Sequence, residues 1–75
     1  MEADEVLDTS GLVCPMPILK TKQSIKNLEP GTVLKVIATD KGSKGDIPAF
    51  VRQSKNELLG MEDDDGKYIF FIKKK

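Results

Sequence analysis

One cysteine stands in the chain, and its neighbours are unusual for a residue that only fills space. Gly11-Leu12-Val13-Cys14-Pro15-Met16-Pro17 leads directly into a stretch with helical spacing. A residue before proline is pushed away from the α conformation. That suits Cys14 as the cap of a helix, with Gly11 supplying a flexible approach. Pro15 then falls at the first helical position, where proline is most at home. Pro17 falls at the third, still within the turn whose N–H groups have no helical partner. The partial positive charge at a helix N-terminus favours thiolate over thiol. Residues 9–28 contain no aspartate or glutamate but do contain Lys20, Lys22 and Lys26, so the local charge also favours an anion on sulfur. The prolines remove two N–H donors, which leaves the sulfur few tight hydrogen bonds and keeps it nucleophilic. The expectation is an accessible Cys14 thiolate with a pKa below the ordinary ~8.5. A packing role stays open, because free cysteine is among the most buried residue types and Pro-x-Pro can serve a helix start alone.

The rest of the composition narrows the chemistry. There is no histidine, so Cys-His and Ser-His nucleophile pairs are absent. One cysteine without histidine makes a zinc or iron–sulfur site within the chain improbable, and no metal or cofactor is expected. One cysteine also cannot close an internal disulfide, whereas secreted domains of this size usually carry several. The opening MEADEVLD is acidic and lacks the apolar core of a signal peptide. No apolar run is long enough to span a membrane. A reducing, cytoplasmic setting is the expectation. Basic and acidic residues balance at twelve each, so the net charge argues for neither nucleic acid nor membrane. At 75 residues the chain reads as one domain, residues 1–75, too small for a deep substrate cavity. Its chemistry must sit near the surface.

Six elements must position the cysteine. Val6-Leu7-Asp8 reads as a short strand, followed by turn residues. Residues 16–28 read as a helix, with Ile18, Thr21, Ile25 and Leu28 on one buried stripe and Leu19 beside it. Glu29-Pro30-Gly31 is a stop signal. Residues 33–39 are a β-branched strand. DKGSKGD reads as a loop, with Asp46 as the cap of a second helix over residues 47–55 and Pro48 in its first turn. Residues 57–62 form a third strand. Asp64-Asp65-Gly66 is a hairpin turn, and residues 67–73 are the fourth strand. The order β-α-β-α-β-β predicts an α+β fold. It is a two-layer α/β sandwich with a four-stranded mixed sheet and two helices on one face. The first two strands are parallel through a crossover, and the last two form a hairpin.

Parallel strands bring the loops that follow them to one sheet edge. Asp40, Ser43 and Asp46 are therefore candidate neighbours of Cys14, with capping and turn formation as the plainer roles. Val33, Ile37, Ile69 and Phe71 share the sheet's second face. That face either docks a partner, including a weak homodimer, or is wrapped by side chains at the sheet edges. Lys20, Lys22 and Lys26 either dock an acidic partner or form an ordinary solvated helix face. EDDDG lacks the alternating oxygen ligands of an EF-hand, DKGSKGD is no Walker loop, and the closing lysines read as a solvated tail.

These residues resemble the TusA/SirA family of small sulfur-carrier proteins. The likeness lies in Leu7-Asp8 before Gly11-Leu12, the Cys-Pro-x-Pro of residues 14–17, Leu19-Lys20, Pro30-Gly31, Asp46-Ile47-Pro48, and Glu57-Leu58-Leu59. It runs from about Leu7 to Ile72. The resemblance implies a β-α-β-α-β-β fold and a cysteine, Cys14, that accepts sulfane sulfur as a persulfide or thiosulfonate and passes it on. It implies structural roles for Pro15, Pro17, Asp8, Asp40 and Asp46. It also implies a cysteine desulfurase or rhodanese-type donor and a sulfur-accepting relay protein, in tRNA thiolation or sulfur oxidation. The chain would then act with partner sulfurtransferases and not as a stand-alone enzyme. Val13 stands where relatives often have a basic residue, Lys41 where proline is usual, and Lys55-Asn56 where Gly-His is common. These departures bear on partners, not on the carrier cysteine. Two other readings of the residues remain beside the carrier: a redox-sensing thiol that forms mixed disulfides, and an interaction module with an inert cysteine.

Overall fold

The computed structural model describes residues 3–13 and 15–75. Along the chain run β1 (Glu5–Thr9), α1 (Met16–Lys26), β2 (Val33–Ala38), α2 (Ser43–Gln53), β3 (Glu57–Asp64) and β4 (Lys67–Lys73). The sheet order is β1-β2-β4-β3. β1 pairs parallel with β2, and β4 lies antiparallel to both β2 and β3. α1 packs on β1 and β2, α2 on β3 and β4, and the helices touch each other. Both therefore cover the same face, as the element order implies.

Alternation along the strands decides which face is covered. Leu34, Val36 and Ala38 of β2 are buried, in register with Ile72, Phe70 and Tyr68 of β4. Ile25 of α1 and Ile47 and Val51 of α2 close the core over them. Burying a side chain of this size contributes about 1.5–3 kcal/mol, so one shared core holds both layers. The second face carries Val33, Ile37, Ile69 and Phe71 by the same alternation. Phe71 is only 5% exposed there, and Lys35 Nζ stands 6.0 Å from its ring centroid. Val6 on the same face remains exposed.

Several boundaries differ from the sequence reading. α1 ends at Lys26, with Asn27 as its C-cap, although Leu28 still packs on the core. β2 stops at Ala38, one residue early. Asp64 belongs to β3 and pairs with Lys67. The turn itself is Asp65-Gly66, both left-handed with φ 49° and 87°, the two-residue hairpin geometry that Asp-Gly favours. Register slips by one residue between Leu58 and Gly60, a bulge that leaves Leu59 extra.

The largest correction concerns α2. It begins at Ser43, so most of DKGSKGD is helix and not loop. Gly42 is the cap, with no side-chain capping bond, and the Asp46 amide donates to the Gly42 carbonyl at 3.0 Å. Asp46 is thus an acid inside the first turn, where negative charge suits the helix dipole. It is not the cap. Pro48 lies inside the helix and not in its first turn. The carbonyl that loses its helical donor belongs to Lys44, an exposed residue.

Candidate functional site

The site region is the sheet edge where β1 and β2 end. Thr9, the last residue of β1, is fully buried and its hydroxyl donates to the Ile37 carbonyl at 2.6 Å. The next residues turn sharply. The Ser10 amide donates to Asp8 Oδ1 at 2.9 Å, and the Leu12 amide to the Thr9 carbonyl at 3.1 Å. Asp8 is fully exposed, and hydrogen bonds from the Ser10 side chain and then its amide hold its carboxyl below the usual value, with Lys67 adding a smaller push in the same direction. Gly11 sits at φ 82°, a left-handed backbone that favours glycine. Its amide donates to Thr39 Oγ1 at 2.9 Å. That bond joins the loop after β1 to the loop after β2.

Cys14 lies outside the described residues, so its expected capping role and exposure do too. Its neighbours are placed. The Met16 amide donates to the Val13 carbonyl at 2.9 Å, drawing the chain together across position 14. The Leu19 amide donates to the Pro15 carbonyl at 3.1 Å. A helix cap is the residue whose carbonyl takes the first such bond, so Pro15 is the cap and Pro17 the second helical position. Each is one step earlier in the helix than the sequence reading has it. Pro17 also does more than start a helix. It is fully buried, and its carbonyl accepts the Thr21 hydroxyl at 2.7 Å.

Asp40 and Asp46 converge on Gly42. A methyl group on Gly42 would stand 3.0 Å from Asp40 Oδ2 and 3.5 Å from Asp46 Oδ2. Asp40 Oδ2 is buried without a hydrogen-bond partner among the described residues. The loops after β1 and β2 meet at one sheet edge through the Gly11–Thr39 bond, while the expected nearness of Asp40, Ser43 and Asp46 to Cys14 lies outside the described residues. The stretch from residue 9 to residue 28 carries no acid, and the two carboxylates nearest Gly42 belong to the loop and helix that follow β2. Ser43 is buried and its amide donates to the Asp40 carbonyl, so it is a structural residue.

Lys20, Lys22 and Lys26 are all exposed on α1. So are apolar residues that the sequence reading does not single out as surface. Val13 is 67% exposed, Leu19 is 44% exposed, and Met16 is also open. Leu19 was expected beside the buried stripe, yet it opens onto a groove shared with Ile18, Asp46 and Ala49. Thr39 and Thr9 are the positioning residues missed by sequence reasoning. A hydroxyl at the end of a β-branched strand looks like strand composition, and only the parallel pairing shows its partner. Among the described residues, no group of histidine, cysteine or acidic side chains could hold a metal. No helix of the described residues is long and apolar enough to cross a membrane.

Comparison with known proteins places this geometry in context. The family model described as Sulfurtransferase TusA matches residues 5–74. The sulfur carrier protein TusA of Allochromatium vinosum is 49% identical over 71 residues, 95% of this chain and 93% of that protein. The protein of the same name from Pseudomonas putida is 44% identical, covering 96% of this chain and 90% of its own length. A SirA-like protein from Desulfitobacterium hafniense has the same fold. Its crystal structure superposes with a TM-score of 0.80 over 92% of this chain and 95% of that one, at 24% identity.

Proposed function

The chain belongs to the TusA family of sulfur carriers, and we propose that residues 1–75 form one carrier domain whose cargo rides on Cys14 as a persulfide. A sulfur carrier meets a protein that donates sulfur and one that accepts it. The observation that carries the assignment to Cys14 is that the family match spans the whole Cys-Pro-x-Pro entry to α1 in a chain with no second cysteine.

The chemistry is thiolate exchange. The Cys14 thiolate attacks the outer sulfur of a donor persulfide. The donor's S–S bond breaks, its thiolate leaves, and a new S–S bond forms on Cys14. There is no net oxidation and no need for a histidine base. With no second thiol in the chain, the loaded sulfur waits for the acceptor's thiol. Gly11, Pro15 and Pro17 shape the approach, Asp40 and Asp46 border it, and the exposed Val13, Met16 and Leu19 form an apolar rim for a partner's surface. Lys20, Lys22 and Lys26 steer an acidic partner. The donor is a cysteine desulfurase or a rhodanese-type protein, the acceptor is a cytoplasmic relay protein of tRNA thiolation or sulfur oxidation, and a weak homodimer through the second sheet face is a further contact.

The test is loading. Incubation with a desulfurase and cysteine, or with a rhodanese and thiosulfate, adds sulfur to Cys14 that a reductant removes, read by mass spectrometry. Cys14→Ser stays folded and accepts nothing. If Cys14→Ser loads as well as the parent, or neither donor loads the parent, the assignment is wrong.

A further inference from the structure

The far end of the domain carries a feature the sulfur chemistry does not use. A groove of about 550 Å³ opens where α1 and α2 finish. Its floor includes Ile25 and Phe50, and its rim carries Lys22, Lys26, Lys55, Lys74 and Lys75. Five of the twelve basic residues of a chain with zero net charge thus surround one apolar groove. Among the described residues no carboxylate side chain lines it.

The rim is held in place. The Lys74 amide donates to the Thr32 carbonyl at 2.8 Å, and the Lys74 carbonyl accepts from Gly31 at 2.7 Å. The Lys75 amide donates to Asn56 Oδ1 at 3.1 Å, and Asn56 Nδ2 donates to Ser54 Oγ at 2.9 Å. Lys55 has a left-handed backbone, φ 65°, a conformation that glycine adopts more easily. Val33 pairs with Lys73, so this groove sits at the opposite end of β2 from Thr39, roughly 17–20 Å away at the usual rise per residue.

We propose that this groove docks an acidic peptide segment of a partner protein, with one apolar side chain over Phe50 and carboxylates against the lysine rim. This deepens the lysine-docking reading above, with Lys22 and Lys26 assigned to a bounded site. Charge complementarity names the occupant, because five ammonium groups with no acidic side chain among the lining residues attract carboxylates. The apolar floor adds the anchor, which a sugar-phosphate backbone lacks. Direction is supplied as well. The groove continues past Lys22 and Phe50 toward Ile18, Leu19 and Asp46, and Asp46 discourages further carboxylates at that end. A partner held here leaves the Val13 and Pro15 end open to a third protein.

The experiment is a nuclear magnetic resonance titration of the full chain with a short peptide of glutamates around one leucine. Resonances of Ile25, Phe50, Ser54 and Asn56 move. The double reversal Lys55→Glu with Lys74→Glu weakens binding roughly tenfold or more, as does raising the salt well above physiological strength. Replacing the leucine by serine also weakens it. Shifts confined to Val13, Met16 and Leu19, or affinity unchanged by the reversal, overturn the proposal. So does tighter binding to single-stranded RNA or to phosphatidylglycerol vesicles than to the peptide. Loading of Cys14 by its donor is measured on the same variant and on the parent. Failure of the parent to load counts against the cysteine assignment, while the peptide titration alone decides the groove.

Discussion

The Gly11 amide and the Thr39 hydroxyl meet at 2.9 Å although 28 residues separate them. This contact carries the relation between the two loops of the site edge. Gly11 presents its amide because its backbone is left-handed, and Thr39 accepts because it follows the last residue of β2 directly. Pairing of Thr9 with Ala38 brings both into range. The loop leading to the cysteine is thereby indexed to the loop leading into α2.

Thr39→Val keeps the shape and removes the acceptor. It costs about 1 kcal/mol, the usual net value of such a bond. Because the lost bond steadies the approach to position 14, sulfur loading also slows. Thr39→Ser restores both. Denaturant midpoints and loading rates measure the two effects, and a Thr39→Val variant with parent loading would confine the bond to stability.

Asp8 makes stability depend on acid. Its folded pKa is below the reference 3.8, so the unfolded chain binds the proton more readily. The contribution is fully present above the unfolded value and fades as pH falls through the folded one. Urea midpoints of the parent and Asp8→Asn should differ near neutrality and converge below the reference value. A gap that persists in strong acid would assign the stabilisation to something other than the ionised carboxylate.

The two prolines of the motif should behave differently. Pro15 makes no side-chain capping bond, so Pro15→Ala costs under about 1 kcal/mol. It frees the backbone beside the cysteine and changes the loading rate. Pro17 is fully buried, and Pro17→Ala removes two buried methylenes, about 1.6 kcal/mol. Thermal unfolding with a loading assay separates the roles. Parent-like loading by Pro15→Ala would reduce that residue to a helix start.

A carrier thiol at position 14 is expected to be acidic. The helix terminus and the α1 lysines favour thiolate, and the alkylation midpoint should lie below ~8.5. Carboxylates near the sulfur would oppose it, and Asp40 and Asp46 follow β2 beside Gly42. Asp40→Asn removes one of those charges and should move the midpoint lower still. Alkylation rate against pH reads both. An upward move in the variant would mean that Asp40 does not oppose the thiolate.

The layers, the element order along the chain and the meeting of the loops after β1 and β2 at one edge were legible because they follow from spacing. Leu34 and Val36 alternate, Ile25 and Thr21 recur at helical intervals, and parallel strands return their loops to one edge. The start of α2 was not legible. Gly42 and Gly45 have weak helical preference and the stretch has no apolar face, yet the helix starts at Ser43, which is buried against the fold. The caps slipped by one residue at α1 because proline is compatible with several positions of a first turn. The Thr39 contact and the lysine-rimmed groove needed three dimensions, since their members come from separate elements.

The bulge at Leu59 has a bearing on how such a protein survives in crowded solution. β3 is an outer strand of the sheet, and its free side exposes backbone groups to any passing chain. An extra residue bends that edge, and Glu57, Glu62, Asp63 and Asp64 lie along the strand. A second strand approaching it would meet both the wrong register and like charge. The sheet therefore resists extension into aggregates along β3, and that edge is guarded by the same acids that keep the hairpin in solvent.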